Sequence, residues 1–410
     1  MKSYFKINKI KFRKKKILTG DKSISHRFLF LSLIKKNIIE IINILESFDI
    51  LSSINLCKNL GINIYGPINS YLLIYNININ IKKNINKIYF IGNSGTTIRI
   101  SLSLILINNI ILGDISLNKR TMYRIVKPLT LLGFIIQCKK NFFTPIIIFK
   151  KKYLGLKYNL VNASSQIKSC ILLSSINSFL NIYLKEFKKT RDHSERLFFF
   201  LKKKNNFIIK IPNDFSSLSF IINYFLFLNN IYIYTFNFNK LRIGLFEFLI
   251  KIKLLFYIIK KKIIYNEHLI KIIILNFNIK KKTIFSESIS KMIDEIPVLI
   301  SLLINFNKII KIYGLEELKF KESNRFINMF KNIIYLGINT KIKKNYIIIK
   351  GTKKHKNFII SYNDHRLFMS FYIKNIKNIK ISNAQNILSS FPKFLNYFNN
   401  NKNKFYVFNK

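Results

Sequence analysis

The sequence predicts an α/β protein assembled from repeated strand–helix units. Three observations carry that expectation. Six short polar motifs each open directly into an apolar run of helical length. Most of them start roughly 70 residues apart, with one interval nearer 50. The segments between them, such as Tyr71–Ile81 and Phe207–Ile211, alternate or run apolar in the manner of strands. An interval of this length fits β/α modules better than a short solenoid repeat. At 410 residues the chain also has room for two domains.

Taken in order, residues 3–18 read as one or two short strands. GDKSISHR (Gly20–Arg27) then precedes Phe28–Ile34, and GNSGTTIR (Gly92–Arg99) precedes Ile100–Ile107. NASSQIKS (Asn162–Ser169) precedes Cys170–Leu180, and PNDFSS (Pro212–Ser217) precedes Phe220–Leu228. KMIDEIP (Lys291–Pro297) precedes Val298–Phe306, and YNDHR (Tyr362–Arg366) precedes Leu367–Ile373. The longest uncharged stretch, Phe215–Asn239, could cover a bilayer span of about 20 residues. Its five asparagines, two of them paired at Asn229 and Asn230, read instead as a helix followed by a strand. Leu228–Ile231 is the quietest candidate for a domain boundary.

A helix start offers free N–H groups and the positive end of the macrodipole, which suits an anion. In GDKSISHR, Lys22 and Arg27 add two full charges beside it. The motif therefore reads either as a site for a phosphate- or carboxylate-bearing small molecule or as a capped helix with a solvated basic end. GNSGTTIR is a Gly-rich turn ending in Arg99 that lacks the Lys-Ser/Thr of a P-loop, so nucleoside triphosphate binding is not expected. NASSQIKS groups hydroxyls, an amide and Lys168, as a polyhydroxylated ligand or a plain helix cap would require. If the six helix starts converge, they form an electrostatic trap for a multiply anionic ligand.

The net charge of +52 invites a nucleic-acid or membrane-surface reading. Lys, Asn, Ile, Phe and Tyr, all abundant here, share A/T-rich codons, and the lysines are spread along the whole chain. Compositional drift with a solvated surface accounts for the charge. The scarce residues then become informative. Of ten arginines, nine sit in or beside polar clusters, Arg13 excepted, and six of seven aspartates do likewise, Asp49 excepted. Where lysine is the default cation, arginine marks places that need its planar fork for carboxylate or phosphate. The three cysteines, Cys57, Cys138 and Cys170, lie far apart in or beside apolar segments. That argues against a zinc or disulfide framework and fits a reducing compartment. The amino terminus lacks a continuous apolar h-region, so a soluble, cytoplasmic protein without a signal peptide is expected.

Acid/base candidates are Asp294 and Glu295 in KMIDEIP, Glu322 in KESNR (Lys321–Arg325), and His365 in YNDHR. On a helix, Lys321 and Arg325 would share one face with Glu322 beside them. RDHSER (Arg191–Arg196) reads as a salt-bridged loop or as a segment that closes over an anion. His355, in a lysine run, reads as surface. His26 receives no role.

The ordered set of motifs resembles the 5-enolpyruvylshikimate-3-phosphate synthase family. GDKSISHR, GNSGTTIR, Gly113–Leu129, SSQIKS, RDHSER, NDFSS, IDEIP, Gly314–Arg325, NDHR and SFPKF (Ser390–Phe394) stand in the family's order over nearly the whole chain. The resemblance implies the two-domain enolpyruvyl-transferase fold, an inside-out α/β barrel with three βαβαββ units per domain. One domain would span 18–228 and the other 1–17 plus 229–410, with the active site in the cleft between them. The implied reaction moves the enolpyruvyl group of phosphoenolpyruvate to the 5-hydroxyl of shikimate 3-phosphate and releases phosphate. No metal or organic cofactor is implied, and the protein is expected to act as a monomer without nucleic-acid or membrane partners.

Matched motif by motif, the resemblance assigns shikimate 3-phosphate to Lys22, Ser23, Arg27, Ser164, Ser165, Gln166, Asp294 and Lys321. It assigns phosphoenolpyruvate to Lys22, Gly95, Arg120, Gln166, Arg325 and Arg366, with Arg99 beside them. Asp294 matches the base for the hydroxyl proton. Glu322, with Lys22 and His365 near it, matches the group that moves a proton at the methylene carbon. Asn213, Leu241 and Asn324 depart from the family's usual glycine, threonine and aspartate, and residues 286–292 depart as well. Asn213 would be tolerable in a left-handed turn, and Asn324 removes a negative charge beside Glu322. Three competing readings remain: a related enolpyruvyl transferase acting on a UDP-amino-sugar through a loop cysteine, a basic polyanion binder, and a drifted, inactive descendant, against which the intact acid/base and arginine positions argue.

Overall fold

A computed structural model describes residues 18–34, 38–76, 86–105, 107–151, 154–160, 164–178, 181–187, 189–202, 207–225, 232–251, 255–276, 283–284, 289–304, 309–343, 346–350, 358–373, 380–382, 384–398 and 407–408. The strands expected before residue 18, the boundary candidate at 228–231, residues 286–288 and His355 lie outside the described residues.

The chain begins with α1 (Lys22–Ser32), β1 (Ile38–Ile42), α2 (Phe48–Asn59), β2 (Asn63–Ile68) and β3 (Tyr71–Tyr75). It continues through β4 (Ile88–Phe90), α3 (Gly95–Ser101), β5 (Asn109–Leu112), α4 (Ile115–Asn118), α5 (Tyr123–Leu131), β6 (Phe134–Lys139) and β7 (Phe143–Lys151). Next come β8 (Leu156–Leu160), α6 (Ser165–Ser178), β9 (Ile182–Glu186), α7 (His193–Lys202) and β10 (Phe207–Lys210). The second stretch runs α8 (Phe215–Phe225), β11 (Tyr232–Asn237), α9 (Gly244–Lys251), β12 (Leu255–Ile264) and β13 (Glu267–Asn276). It ends with β14 (Thr283–Ile284), α10 (Ile296–Leu303), β15 (Ile309–Tyr313), α11 (Arg325–Tyr335), β16 (Asn339–Lys343), β17 (Tyr346–Lys350), β18 (Phe358–Ile359), α12 (His365–Tyr372), β19 (Lys380–Ser382), α13 (Phe394–Phe398) and β20 (Val407–Phe408).

Three sheets share one strand order: β4-β5-β7-β6, β14-β15-β17-β16 and β10-β1-β3-β2. In each, the first two strands are parallel and the last two pair antiparallel. In the first two, the parallel pair is joined by a helix as parallel strands require, which gives the βαβαββ unit. In the sheet that starts the chain, the first position is filled by β10, in register from Ile39↔Phe207 to Ile42↔Lys210.

The apolar runs after the polar motifs are helical, but each helix begins inside its motif. Side-chain caps explain the early start in four of them. Asp21 accepts from Ile24 N at 3.0 Å, Ser94 from Thr97 N at 3.2 Å, Asp214 from Ser217 N at 2.9 Å and Asp364 from Arg366 N at 2.9 Å. The charged residues of the motifs thus occupy first helical turns. One expected run falls short. α3 ends at Ser101, and the chain turns at Leu102–Leu104, where Ser103 Oγ donates to the Cys170 carbonyl at 3.0 Å.

Two hydrophobic cores form. One gathers buried residues from Ile24 to Ile211, the other Leu18 and residues from Phe215 to Tyr397. Phe28, Leu29 and Phe30 of α1 are fully buried in the first, each contributing at most about 1.5–3 kcal/mol. The second core already includes part of the apolar stretch that follows PNDFSS. Phe215, Leu218, Phe220, Ile221 and Ile222 of α8 already belong to the second core. Asn223 Nδ2 ties that helix to Val298 O at 3.1 Å and Ser301 Oγ at 2.8 Å.

The chain crosses between the cores on two adjacent segments. Asp21 N donates to Pro212 O at 2.8 Å, Asp214 N donates to Thr19 O at 3.0 Å, and Gly20 bridges Asn213 antiparallel. A Cβ at Gly20 would lie 1.9 Å from the Asn43 carbonyl oxygen, so only glycine fits. Asn213 is therefore in an antiparallel bridge and not in a left-handed turn. Its Nδ2 donates to Thr235 O at 2.8 Å and its Oδ1 accepts from Asn43 Nδ2 at 3.2 Å. Among the described residues no helix is long and apolar enough to cross a membrane.

Candidate active site

A cleft of about 1070 Å3 opens between the two cores, and all six polar motifs reach it. Every one of the fifteen site residues named from the sequence lines it, as do eight of the ten arginines. The convergence that spacing alone could not show is therefore present.

On the first-core wall, Lys22 Nζ lies 2.5 Å from Asp49 Oδ2 and donates across the cleft to Ser389 O at 3.1 Å. Arg27 donates to Ser194 Oγ at 2.9 Å, to Ser23 O at 2.8 Å and to Ser165 O at 3.3 Å. Burial first, then Arg191, lowers its pKa to about 10, so it stays charged at neutral pH. Ser164 and Ser165 stand at the start of α6. Arg99 Nη1 donates to Gln166 Oε1 at 3.1 Å, and Gln166 Nε2 donates to Thr96 Oγ1 at 3.0 Å. Burial, then Arg120 and Arg124, lowers Arg99 to about 10. Arg120 donates to Asn93 Oδ1 and, at 3.1 Å, to Ser116 Oγ. A Cβ at Gly95 would sit 3.3 Å from Arg99 Nη1 and 3.4 Å from Arg120 Nη1. The glycine keeps those two guanidinium tips beside the helix start.

On the opposite wall, four cations surround Asp294. Arg191 Nη2 is 2.6 Å from Oδ2, Lys321 Nζ is 3.5 Å and Arg325 Nη1 3.6 Å from Oδ1, and Arg366 Nη1 donates to the Asp294 carbonyl at 2.8 Å. Burial works to raise this carboxyl's pKa, but the attraction of Lys321, Arg366, Arg191 and Arg325 together holds it well below the usual range. Glu322 Oε2 is 2.7 Å from His365 Nδ1, and Oε1 is 3.5 Å from Arg325 Nη2. Here too burial raises the pKa, and His365, Arg325 and Lys22 outweigh it. Both carboxylates are ionised in the unliganded cleft.

The KESNR segment is not helical. Lys321–Ser323 form a bend, and Arg325 is the first residue of α11, capped by Asn324, which accepts from Ile327 N at 3.3 Å. Lys321 and Arg325 meet at Asp294 because the loop folds back, not because they share a helix face. Asn324 keeps the capping oxygen that an aspartate would supply. The neighbouring acid, Glu295, turns away into the core, where Ser216 Oγ donates to it.

RDHSER is a salt-bridged segment. Arg191 reaches Asp294, Asp192 Oδ1 accepts from Asn239 Nδ2 at 2.6 Å, His193 Nδ1 lies 2.6 Å from Glu267 Oε1, and Arg196 Nη1 donates to Asn266 O at 2.6 Å. The segment fastens the first core to the second while presenting Arg191 to the cleft. Beneath the floor, Arg242 bonds Asp21 and, at 2.7 Å, Asp214, the two caps at the crossing. The cluster rule singled out Arg242 without its partners. Asp49, the counter-ion of Lys22, was missed because it lies outside every polar cluster.

Glu322, Asp364 and His365 present ligand atoms within 4.8 Å of one another, close enough to hold a metal ion. Arg325 already supplies the positive charge there, with Nε 2.6 Å from Asp364 Oδ2 and Nη2 near Glu322. Cys57 and Cys170 are buried and Cys138 is partly so, and the cleft lining includes none of them. Burial pushes the Cys138 and Cys170 thiols up to about 11, away from the reactive thiolate range.

These features agree with what the chain is similar to. The sequence model of EPSP synthase (3-phosphoshikimate 1-carboxyvinyltransferase) matches residues 11–202 and 201–398. The 3-phosphoshikimate 1-carboxyvinyltransferase of Thermoanaerobacter sp. (strain X514) is 30% identical over 420 aligned positions, covering 95% of this chain and 99% of that protein. The enzyme of the same name from Clostridium tetani is 32% identical over 413 positions, covering 93% and 92%. A solved structure of EPSP synthase from Acinetobacter baumannii superposes with a TM-score of 0.79 at 26% identity, covering 93% of this chain and 94% of that one. With its sequence matched nearly end to end and its motifs gathered in one cleft, the chain belongs to the EPSP synthase family.

Proposed function

We propose that this chain transfers the enolpyruvyl group of phosphoenolpyruvate to the 5-hydroxyl of shikimate 3-phosphate and releases phosphate. One observation carries the reading: a half-buried carboxylate, Asp294, ringed by cations in a cleft that all six polar motifs line. Each substrate bears a phosphate and a carboxylate, so several guanidinium forks must hold two polyanions side by side. Lys22, Ser23, Arg27, Ser164, Ser165, Gln166, Asp294 and Lys321 hold shikimate 3-phosphate. Lys22, Gly95, Arg99, Arg120, Gln166, Arg325 and Arg366 hold phosphoenolpyruvate.

The hydroxyl oxygen attacks C2 of phosphoenolpyruvate as Asp294 takes its proton, and C3 gains a proton from the Glu322 group, with Lys22 and His365 beside it. Phosphate then leaves the tetrahedral intermediate as C3 returns a proton. The cations that keep Asp294 weakly basic are largely those that the substrates occupy. Lys321 turns to one ligand, Arg325 and Arg366 to the other. Substrate anions thereby raise the proton affinity of both carboxylates: Glu322 takes a proton from water as the ligands bind and so can give it to C3, and Asp294 can accept the hydroxyl proton. Closure of the cleft, excluding water, adds to the same effect.

The reading includes two domains built on the two cores, changing over near residues 211–215, and a monomeric cytoplasmic enzyme. Light scattering at 48.7 kDa supports the monomer, and twice that mass refutes it. The deciding assay is phosphate release from phosphoenolpyruvate that depends on shikimate 3-phosphate. Wild type should release phosphate, and Asp294→Asn should lose about 10²–10⁴-fold in kcat. No release by wild type would sink the assignment.

A further inference from the structure

In the first motif, His26 is a residue that neither substrate claims. His26 lies one helical turn after Lys22 on α1, fully buried at the cleft wall. Its Nδ1 is 2.8 Å from Ser53 Oγ on α2. Ser53 Oγ is 2.8 Å from Thr97 Oγ1 on α3, which is 2.6 Å from Ser94 Oγ, the cap of that helix. Thr97 Oγ1 also donates to the Asp49 carbonyl at 3.3 Å, and the Asp49 carboxylate holds Lys22. The contacts close a ring. Lys22–Asp49 and His26–Ser53 are two rungs between α1 and α2, one helical turn apart on each helix. Thr97 joins both rungs to the turn that carries Gly95, Thr96 and Arg99.

We propose that His26 is a positioning residue which, through Ser53 and Thr97, fixes the distance between the shikimate-phosphate wall on α1 and the phosphoenolpyruvate wall on α3. The inference rests on the substrate assignment above. Lys22 serves both ligands, so its place relative to Arg99 and Gly95 sets whether two polyanions fit side by side. Without the His26 rung, α1 keeps its own contacts to shikimate 3-phosphate, but its register against α3 loosens. A neutral imidazole suits the role. Burial, then Lys22 and Arg27, keeps His26 uncharged, so it adds no cation to compete for Asp49.

The test compares His26→Leu and His26→Asn in the full chain. Leucine carries a methyl, and asparagine a polar atom, two bonds from Cβ, where histidine has Nδ1. For His26→Leu, the KM for phosphoenolpyruvate at saturating shikimate 3-phosphate should rise about tenfold, the effect of about one hydrogen bond. The Kd for shikimate 3-phosphate alone should change less than about threefold. His26→Asn should restore the phosphoenolpyruvate KM. Ser53→Ala, which breaks the same rung from the other side, should match His26→Leu, and the double variant should be no worse than either. A phosphoenolpyruvate KM within about twofold of wild type in Ser53→Ala and His26→Leu would overturn the proposal. So would His26→Asn behaving like His26→Leu, or a parallel loss of shikimate 3-phosphate binding. Absence of activity in wild type would instead refute the substrate assignment. Should His26→Leu fail to fold, Ser53→Ala and His26→Asn decide the matter.

Discussion

Replacing Arg242 by methionine isolates the energetics of the crossing between the two cores. Arg242 is 3% exposed and bonds Asp21 and Asp214, which are 0% and 6% exposed. Methionine keeps the apolar stem and removes the charge. Two buried carboxylates, each the cap of a helix, then share no cation. Breaking one buried pair by removing a partner costs about 3–5 kcal/mol. One guanidinium serves both acids, and an unpaired acid can protonate, so the losses do not add, and about 4 kcal/mol is expected. A cooperative unit of about 200 residues loses about 2–4 °C in Tm per kcal/mol, which gives a drop of roughly 8–16 °C.

The pH dependence of that drop has a definite sign. Asp21 already titrates above its ordinary 3.8 because burial outweighs Arg242, and without Arg242 its folded pKa rises further. A raised folded pKa means stability that is present below the unfolded value and lost as pH climbs through the folded one. The deficit of Arg242→Met should therefore be largest near neutral pH and shrink toward about pH 4. Calorimetry across that range is the assay. A drop below about 3 °C, or one that does not vary with pH, would refute the reasoning.

Other outcomes follow from the same geometry. Glu322→Gln keeps the size but cannot move a proton, so kcat should fall about 10²–10⁴-fold with little change in KM; near-normal turnover would exclude Glu322 from that role. Gly95→Ala puts a methyl 3.3 and 3.4 Å from two guanidinium nitrogens, displacing them slightly. The KM for phosphoenolpyruvate should rise about threefold to tenfold, since charge-assisted bonds are worth about 1.5–3 kcal/mol and are weakened rather than lost. Steady-state kinetics that show no change would mean the tips are free to yield. The triple variant Cys57→Ala, Cys138→Ala, Cys170→Ala should retain phosphate release, although buried Cys57 and Cys170 lower its Tm; loss of activity in the folded variant would revive the loop-cysteine reading.

The site was legible in the sequence to an unusual degree because lysine had become the background cation. Against it, Arg27, Arg99, Arg120, Arg325 and Arg366 marked the cleft, and the aspartates before α1, α8 and α12 marked helix starts. What stayed hidden depended on the third dimension. Asp49 sits outside the six motifs, and only the packing of α2 on α1 brings it to Lys22. The helical reading of KESNR failed because spacing of four residues does not require a helix; a bend draws Lys321 and Arg325 to Asp294 equally well. Which core α8 joins was hidden for a similar reason. An apolar helix such as α8 can fill either core, and composition does not say which.

The pairing of β1 with β10 has a consequence for synthesis. β1 leaves the ribosome early, yet its parallel partner begins with Phe207, opposite Ile39. At roughly 5–20 residues per second, the nascent chain carries that edge unpaired for roughly 10–30 s. During that interval an apolar strand, Ile38–Ile42, presents open backbone groups to any neighbouring chain. The single acidic residue in it, Glu40, stands mid-strand, where a charge discourages edge-to-edge pairing. The strand that waits longest for its partner, β1, is thus the one that most needs protection while the chain is being made.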